Sequence, residues 1–307
     1  MRYGYIAGER ISKFILGTDV FSLKDSEHAF ELMNCFVDSG GNAFDTARLY
    51  AEGQSEAVIG RWLAANPDSS VKIISKCSHP TQGMHISRLS KEEIDADVKT
   101  SLEYLPKIDF LLLHRDDRSV DVGGIMESLQ AWIEDGRVKH IGASNWSVER
   151  IAQANAYAVS HGLTPFSVSE IAWSFAKITP KAWGDETLVC MTDDEGKIYR
   201  ETGFPVLAYA SQAKGFFTKL RNENIDSKVE SRYRNDENVA RAEKLWKLAD
   251  EKGVSSTAAC AAYVAGERLN GFAILGCKTV EHLKDSLSAA DLVYTRDEFE
   301  MLCGDGF

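Results

Sequence analysis

An α/β chain closed into an eight-stranded (β/α)8 barrel is what this sequence predicts, and three observations predict it. Eight short apolar runs alternate with stretches of helical periodicity along 307 residues. Three of those runs end in an ionisable side chain: Asp45 after Asn42-Ala43-Phe44, Lys76 after Val71-Lys72-Ile73-Ile74-Ser75, and His114 after Phe110-Leu111-Leu112-Leu113. Strand ends that each deliver a reactive group suggest the carboxyl-terminal rim of a parallel barrel. The alternative, an open doubly wound sheet, wants a Gly-x-Gly-x-x-Gly turn after its first strand, and none is present.

Residues 1–13 read as a hairpin turning at Ala7-Gly8-Glu9, a plug beneath the barrel floor. Phe14 to Gly17 is the first buried strand. Asp25 and Ser26 start a helix in which Ala29, Leu32, Met33, Phe36 and Val37 recur at helical spacing until Gly40-Gly41. Asn42 to Asp45 is the second strand, and a helix over 54–66 turns Val58, Ile59 and Trp62 inward. The third strand is 71–76. Ser90-Lys91-Glu92-Glu93 has the form of a capping box and opens a helix carrying Ile94, Val98 and Leu102. The fourth strand is 108–114, followed by a helix with Ile125, Leu129, Trp132 and Ile133 that ends at Gly136. Val138 to Ser144 is the fifth strand, and Asn145-Trp146-Ser147 leads into a helix ending near Gly162. Strands six, seven and eight are Phe166 to Glu170, Pro205 to Tyr209 and Phe272 to Leu275, the last followed by a helix over 279–289. Two connections are long: 174–204, and 210–271, irregular over 212–236 before helices over 237–252 and 255–269. Long connections in compact domains are usually functional or disordered. No linker or repeat divides residues 1–307, which read as one barrel domain.

Composition narrows the function. Apolar content of 44% and charged content of 26% are ordinary for a globular chain. A net charge of −11 with no basic patch argues against nucleic-acid and anionic-membrane partners. No run has the length of a membrane span, and no apolar segment follows Met1-Arg2-Tyr3-Gly4-Tyr5 to form a signal peptide. Cys35, Cys77, Cys190, Cys260, Cys277 and Cys303 form no CxxC pair, so reduced thiols in a cytoplasmic protein are expected. No His-x-His or comparable ligand cluster appears, so no metal site is expected.

Asp45, Tyr50, Lys76 and His114 fall at or just after three neighbouring strand ends. Taken singly, each has an ordinary reading: a helix cap, a rim aromatic, a solvated strand end and a core histidine. Taken together they suit hydride addition to a carbonyl. A tyrosine can give its proton to a carbonyl oxygen, and a nearby ammonium is expected to lower its pKa. A carboxylate keeps that ammonium charged and aimed, and a neutral imidazole polarises the same oxygen.

These residues, within Phe44-Asp45-Thr46-Ala47-x-x-Tyr50, Ile74-Ser75-Lys76, Leu113-His114 and Ile141-Gly142-Ala143-Ser144-Asn145, resemble the aldo-keto reductases. Leu207-Ala208-Tyr209, Ile274-Leu275-Gly276 and Glu281-His282-Leu283 extend the resemblance over nearly the whole chain. It implies the eight-stranded barrel, an Asp-Tyr-Lys-His tetrad at Asp45, Tyr50, Lys76 and His114, and a nicotinamide dinucleotide bound without a Rossmann domain. By the same resemblance Ser144 and Asn145 would bind the carboxamide and Tyr209 would stack on the ring. Ser211, Gln212 and Gly215 would line the pyrophosphate path, and residues 276–286 would hold the adenosine end. Glu170 stands where glutamine is usual beside the carboxamide, and as a carboxylate it would accept but not donate. Gly276 and Lys278 lie in a segment without the proline and lysine of many members. His282 replaces a common arginine and Ser286 a common asparagine, leaving Lys278 to meet a 2′-phosphate. NADP(H) is the favoured cofactor, with NAD(H) open.

The implied partner is a small-molecule carbonyl substrate, an aldehyde or ketone such as a sugar or aryl aldehyde. A short end after the last helices leaves the mouth to the loops Thr18 to Phe21 and Cys77 to Met84 and the loop after strand six. Trp146, Trp173 and Trp183 are candidates for an aromatic wall. Two other functions fit the same residues: a Schiff-base aldolase using Lys76, and a redox-sensing nicotinamide-binding regulator.

Overall fold

The computed structural model describes residues 1–81 and 86–304, so the distal part of the expected loop Cys77 to Met84 and the chain end at Phe307 lie outside the described residues. Strands β1 (Tyr3–Ile6) and β2 (Glu9–Ser12) form the expected antiparallel hairpin, with Tyr3 opposite Ser12 and Ile6 opposite Glu9. Eight parallel strands follow: β3 (Phe14–Gly17), β4 (Ala43–Asp45), β5 (Lys72–Cys77), β6 (Ile108–Leu113), β7 (Val138–Ser144), β8 (Ser169–Ala172), β9 (Val206–Tyr209) and β10 (Gly271–Leu275). They pair in chain order, and β10 pairs with β3 to close the barrel.

Side chains alternate across each strand, and this period of two builds the site. Ile15, Ala43, Ile74, Phe110, Leu112, Val168, Leu207, Phe272 and Ile274 pack together inside the barrel, with Ile6 and Ile11 of the hairpin joining them as the plug. Two residues further along, the same parity gives Asp45 after Ala43, Lys76 after Ile74, His114 after Leu112, Glu170 after Val168 and Tyr209 after Leu207. The polar residues are therefore the next layer of the barrel's own interior, stacked on an apolar floor. The opposite parity, with Phe14, Leu16, Phe44, Ile73 and Leu111, packs outward against the helices.

Helices α1 (Ser26–Asp38), α2 (Gln54–Ala65), α3 (Lys91–Tyr104), α4 (Val122–Asp135) and α5 (Val148–Ser160) follow β3 to β7 as the periodicity predicts. The Ser90 hydroxyl accepts from Glu93 N–H at the start of α3, but the Glu93 carboxylate returns to that hydroxyl and not to the backbone, so only half of the expected box forms. Strand six is displaced: β8 starts at Ser169 and not at Phe166. Both backbone groups of Phe166 are taken by the side-chain amide of Asn155, at 2.8 and 3.1 Å, which keeps Phe166 out of the ladder.

The long connections hold more order than the sequence suggests. Residues 174–204 contain α6 (Pro180–Trp183) and α7 (Asp193–Thr202). The latter buries a single large side chain, Tyr199, whose hydroxyl meets Ser169 Oγ at 2.7 Å, too little for an apolar period to register. Residues 212–236 are not irregular: they form α8 (Phe216–Arg221) and α9 (Ser227–Tyr233), of 6 and 7 residues, below the length at which periodicity can be read. Helices α10 (Asp236–Lys252), α11 (Ser256–Val264), α12 (Val280–Leu287) and α13 (Arg296–Cys303) complete the chain. No described helix is long and apolar enough to cross a membrane.

Candidate active site

The centre of the rim is Lys76. Its Nζ donates to both oxygens of Asp45, at 2.8 and 2.6 Å, and to the Thr46 carbonyl at 3.0 Å. The Tyr50 hydroxyl lies 3.1 Å away and Glu170 Oε1 3.3 Å away. Lys76 and Asp45 side chains are 0% and 4% exposed, so neither can borrow solvation from water. The Asp45 end is held from behind: its carbonyl accepts from Thr18 N–H and Oγ1, and Ser55 Oγ lies within 2.9 Å of both Thr18 Oγ1 and Thr46 Oγ1.

Tyr50 is not on a strand. It opens a single turn, Tyr50–Gly53, in which Ala51, Glu52 and Gly53 all have positive φ (48°, 61° and 87°). Two consecutive non-glycine residues in the left-handed region cost about 1 kcal/mol or more each. That strain sits beside the one site residue that must lean back over the barrel mouth. His114 closes the group, edge-on to the Tyr50 ring at 5.8 Å between centroids.

The charges sort clearly. Burial works against the Lys76 ammonium, but Asp45, Glu170 and Tyr50 outweigh it and hold its pKa well above the ordinary lysine range. Burial, Lys76, Arg115 and His79 keep His114 well below its usual value, so the imidazole is neutral. The expectation for Tyr50 is corrected: Lys76 does pull its pKa down, but burial and the acidic side chains of Asp45 and Glu170 raise it above the ordinary phenol range. Tyr50 therefore stands as a neutral proton donor. Glu170 is shifted as well. Burial and Asp45 push its carboxyl well above the usual carboxylate range.

Around this core, Asn145 adopts φ 58°, and its Nδ2 donates to the His114 carbonyl at 3.3 Å and to Ser144 Oγ at 3.0 Å. Its Oδ1 accepts from the Tyr209 hydroxyl at 2.7 Å and Val189 N–H at 3.2 Å. Asn145 thus ties β6, β9 and the connection after β8 into one rim. Ser211 Oγ donates to the Ile274 carbonyl at 2.6 Å, and Gln212 Nε2 donates to Ser286 Oγ at 2.8 Å, joining the loop after β9 to α12. Ala213, Lys214 and Gly215 are all left-handed, turning this loop sharply into α8. Gly276, Lys278 and His282 are exposed at the start of α12, and the Lys278 carbonyl meets His28 Nε2 at 2.7 Å.

Of the three tryptophans, only Trp183 is near the rim, edge-on to Tyr209 at 6.0 Å with the Arg232 guanidinium over it at 4.5 Å. Trp146, fully buried against Phe166, and Trp173, 4% exposed against Tyr263, belong to the core and cannot wall a mouth. Two rim residues escape the sequence reading. His79 packs edge-on against His114 at 4.7 Å, and Arg115 reaches Thr187 Oγ1 at 3.1 Å. The signal was present in their places, three residues after Lys76 and one after His114, but neither lies on the inward parity of a strand. Among the described residues no group of His, Cys, Asp or Glu could hold a metal ion.

Comparisons with known proteins bear on the family and the fold. A sequence model of the Aldo/keto reductase family matches residues 13–303. The putative aryl-alcohol dehydrogenase AAD14 of Saccharomyces cerevisiae is 28% identical, over 96% of this chain and 83% of its own. The norsolorinic acid reductase of Aspergillus flavus is 28% identical, over 95% of this chain and 77% of its own. The crystal structure of the thermostable aldo-keto reductase Tm1743 with the inhibitor epalrestat superposes over 100% of both chains, with a TM-score of 0.76 at 20% identity, a likeness of fold. The closed barrel and a family match across nearly its whole length leave one conclusion: the chain belongs to the aldo/keto reductase family.

Proposed function

We propose that the protein reduces a small-molecule aldehyde or ketone, reversibly, with Tyr50 as the acid and a reduced nicotinamide dinucleotide as the reductant. The observation that carries this reading is the Tyr50 hydroxyl 3.1 Å from an ammonium clamped by Asp45, with a neutral His114 at its edge. Such a phenol gives its proton to a carbonyl oxygen as negative charge develops there, and Lys76 then stabilises the phenolate left behind. His114, held neutral, donates a hydrogen bond to the same oxygen and orients the carbonyl. The strong hold on the Lys76 proton speaks against the Schiff-base aldolase, which needs a neutral amine.

The bound dinucleotide supplies hydride. The residues present suit it: Glu170 Oε2 is buried and receives no hydrogen bond, and the NH2 of a carboxamide beside it would supply one. Ser144 and Asn145 flank the same end of the site, and Tyr209 offers a ring anchored through its hydroxyl. Ser211, Gln212 and Gly215 line the small-residue turn for the pyrophosphate. Gly276, Lys278, His282 and Ser286 receive the adenosine end, where the exposed Lys278 ammonium favours NADP(H) over NAD(H). Trp183 against Tyr209 gives one aromatic wall, which suits an aryl aldehyde, the substrate class suggested by the aryl-alcohol dehydrogenase relative.

The test is a panel of aryl aldehydes, ketones and sugars, followed by the loss of reduced-nicotinamide absorbance with each cofactor. Tyr50→Phe is expected to lower turnover by about 10²–10⁴-fold, the usual share of a positioned acid, while dinucleotide binding by fluorescence titration stays within about threefold. Near-normal turnover in Tyr50→Phe would show the acid to be misassigned.

A further inference from the structure

We propose that Asp45 and Glu170 act as one carboxyl pair that keeps a single proton between them beside the Lys76 ammonium, so that Glu170 is a positioning residue whose proton sets the charge felt by Lys76 and Tyr50. This deepens the reductase reading and rests on it.

A count of donors leads to the pair. Five oxygens surround Lys76 Nζ: two of Asp45, the Thr46 carbonyl, the Tyr50 hydroxyl and Glu170 Oε1, at 2.6–3.3 Å. An ammonium has three N–H donors. The three shortest contacts go to Asp45 and Thr46, which leaves Glu170 within ion-pair distance but last in line for a donor. Its other oxygen, Oε2, receives no hydrogen bond from any ordinary donor, and the side chain is 2% exposed. Two ionised carboxylates and one ammonium would leave a net charge of −1 sealed in a dry site, which is costly. One proton shared by the carboxyls makes the group neutral, and its hydrogen bond runs between Asp45 and Glu170.

The groups facing Glu170 are few. Asp45 faces it from β4, with Asp19 acting on Asp45 from the loop after β3. Lys76 faces it from β5, Tyr50 from the turn before α2 and Tyr209 from the end of β9. Its ladder neighbour on β7 is the uncharged Ser144. Only Lys76 is cationic among them, so nothing else can absorb a second negative charge.

The consequence is a pH limb. While the pair holds its proton, Tyr50 gives its own to the substrate with one carboxylate nearby. When the pair loses it, a second carboxylate opposes the phenolate that forms, and the reduction rate falls as pH rises through that titration. The sign follows from Glu170 being raised: its neutral form dominates below the pair's pKa, which lies above the usual carboxylate range.

Two measurements on the full chain decide this. In kcat against pH, the wild type is expected to lose about tenfold per pH unit along this limb; Glu170→Gln, which cannot ionise, should lose the limb, and Glu170→Asp should restore it at a shifted pH. A side chain that merely fills space would change the plateau and leave the limb where it was. Independently of turnover, infrared spectra of the folded protein at neutral pH are expected to show one protonated-carboxyl C=O band fewer in Glu170→Gln than in the wild type. The comparison is needed because Glu56, buried against Ser75, is a second raised carboxyl. An unchanged limb in Glu170→Gln, a wild type with none, or an undiminished band would overturn the pair. If no carbonyl compound is reduced at all, the reductase reading fails while the infrared arm still decides the proton.

Discussion

Strand β5 carries a lysine–carboxylate contact near each end. At the floor, Lys72 Nζ lies 2.7 Å from Glu9 Oε2 of the hairpin, with side chains 20% and 16% exposed. At the rim, four residues along the same strand, Lys76 Nζ lies 2.6 Å from Asp45 Oδ2, with both side chains sealed. The distances match and the consequences differ. Glu9 falls to a pKa of about 2, because hydrogen bonds from Lys139 and Lys72 outweigh the desolvation at this partly exposed position. Asp45 rises despite its lysine, because burial outweighs the attraction. The same pair of residue types is thus a modest structural tie where water reaches it and a store of strained charge where water does not.

Breaking the rim pair should give the largest effect. Lys76→Met leaves Asp45 and Glu170 buried without their cation, and a loss of about 3–5 kcal/mol is expected in denaturant unfolding, together with loss of turnover. At the floor, the apolar plug should matter more than the ion pair beside it. Ile11, fully buried inside the barrel, is expected to cost about 2–5 kcal/mol on replacement by alanine, with the dinucleotide affinity unchanged. Glu9→Gln is the smallest: under about 1 kcal/mol at neutral pH, since partly solvated pairs are worth little. Its pH dependence sharpens the contrast. Glu9 is lowered on folding, so its contribution is present above about 4.5 and disappears as pH falls towards 2. The difference in stability between wild type and Glu9→Gln should close over that window, and a difference persisting at pH 2 would rule out the ion pair as its source.

The floor was legible in sequence because it follows from local pattern. Residues 1–13 read as a hairpin from the turn at Ala7-Gly8-Glu9, and the barrel strands read as short apolar runs. Asp45, Lys76 and His114 were legible for the same reason, since each is an ionisable residue that ends such a run. Less was visible where a local rule was overridden from a distance. Asn155 takes the backbone groups of Phe166 and delays β8, and α7 rests on one buried tyrosine. Trp146 and Trp173 looked like pocket walls because residue type alone cannot tell a rim aromatic from a core one.

The sequence by itself determined the barrel, the order of its strands and the identity of the polar layer on top, because a period of two and a strand end are properties of a few consecutive residues. Only the tertiary structure decided what those polar groups are. That Tyr50 is a neutral phenol and not a poised phenolate, and that the Glu170 carboxyl is pushed above the usual carboxylate range, depends on how far the surrounding strands and loops exclude water from Lys76. Desolvation is a property of the closed assembly, and no stretch of the chain carries it alone.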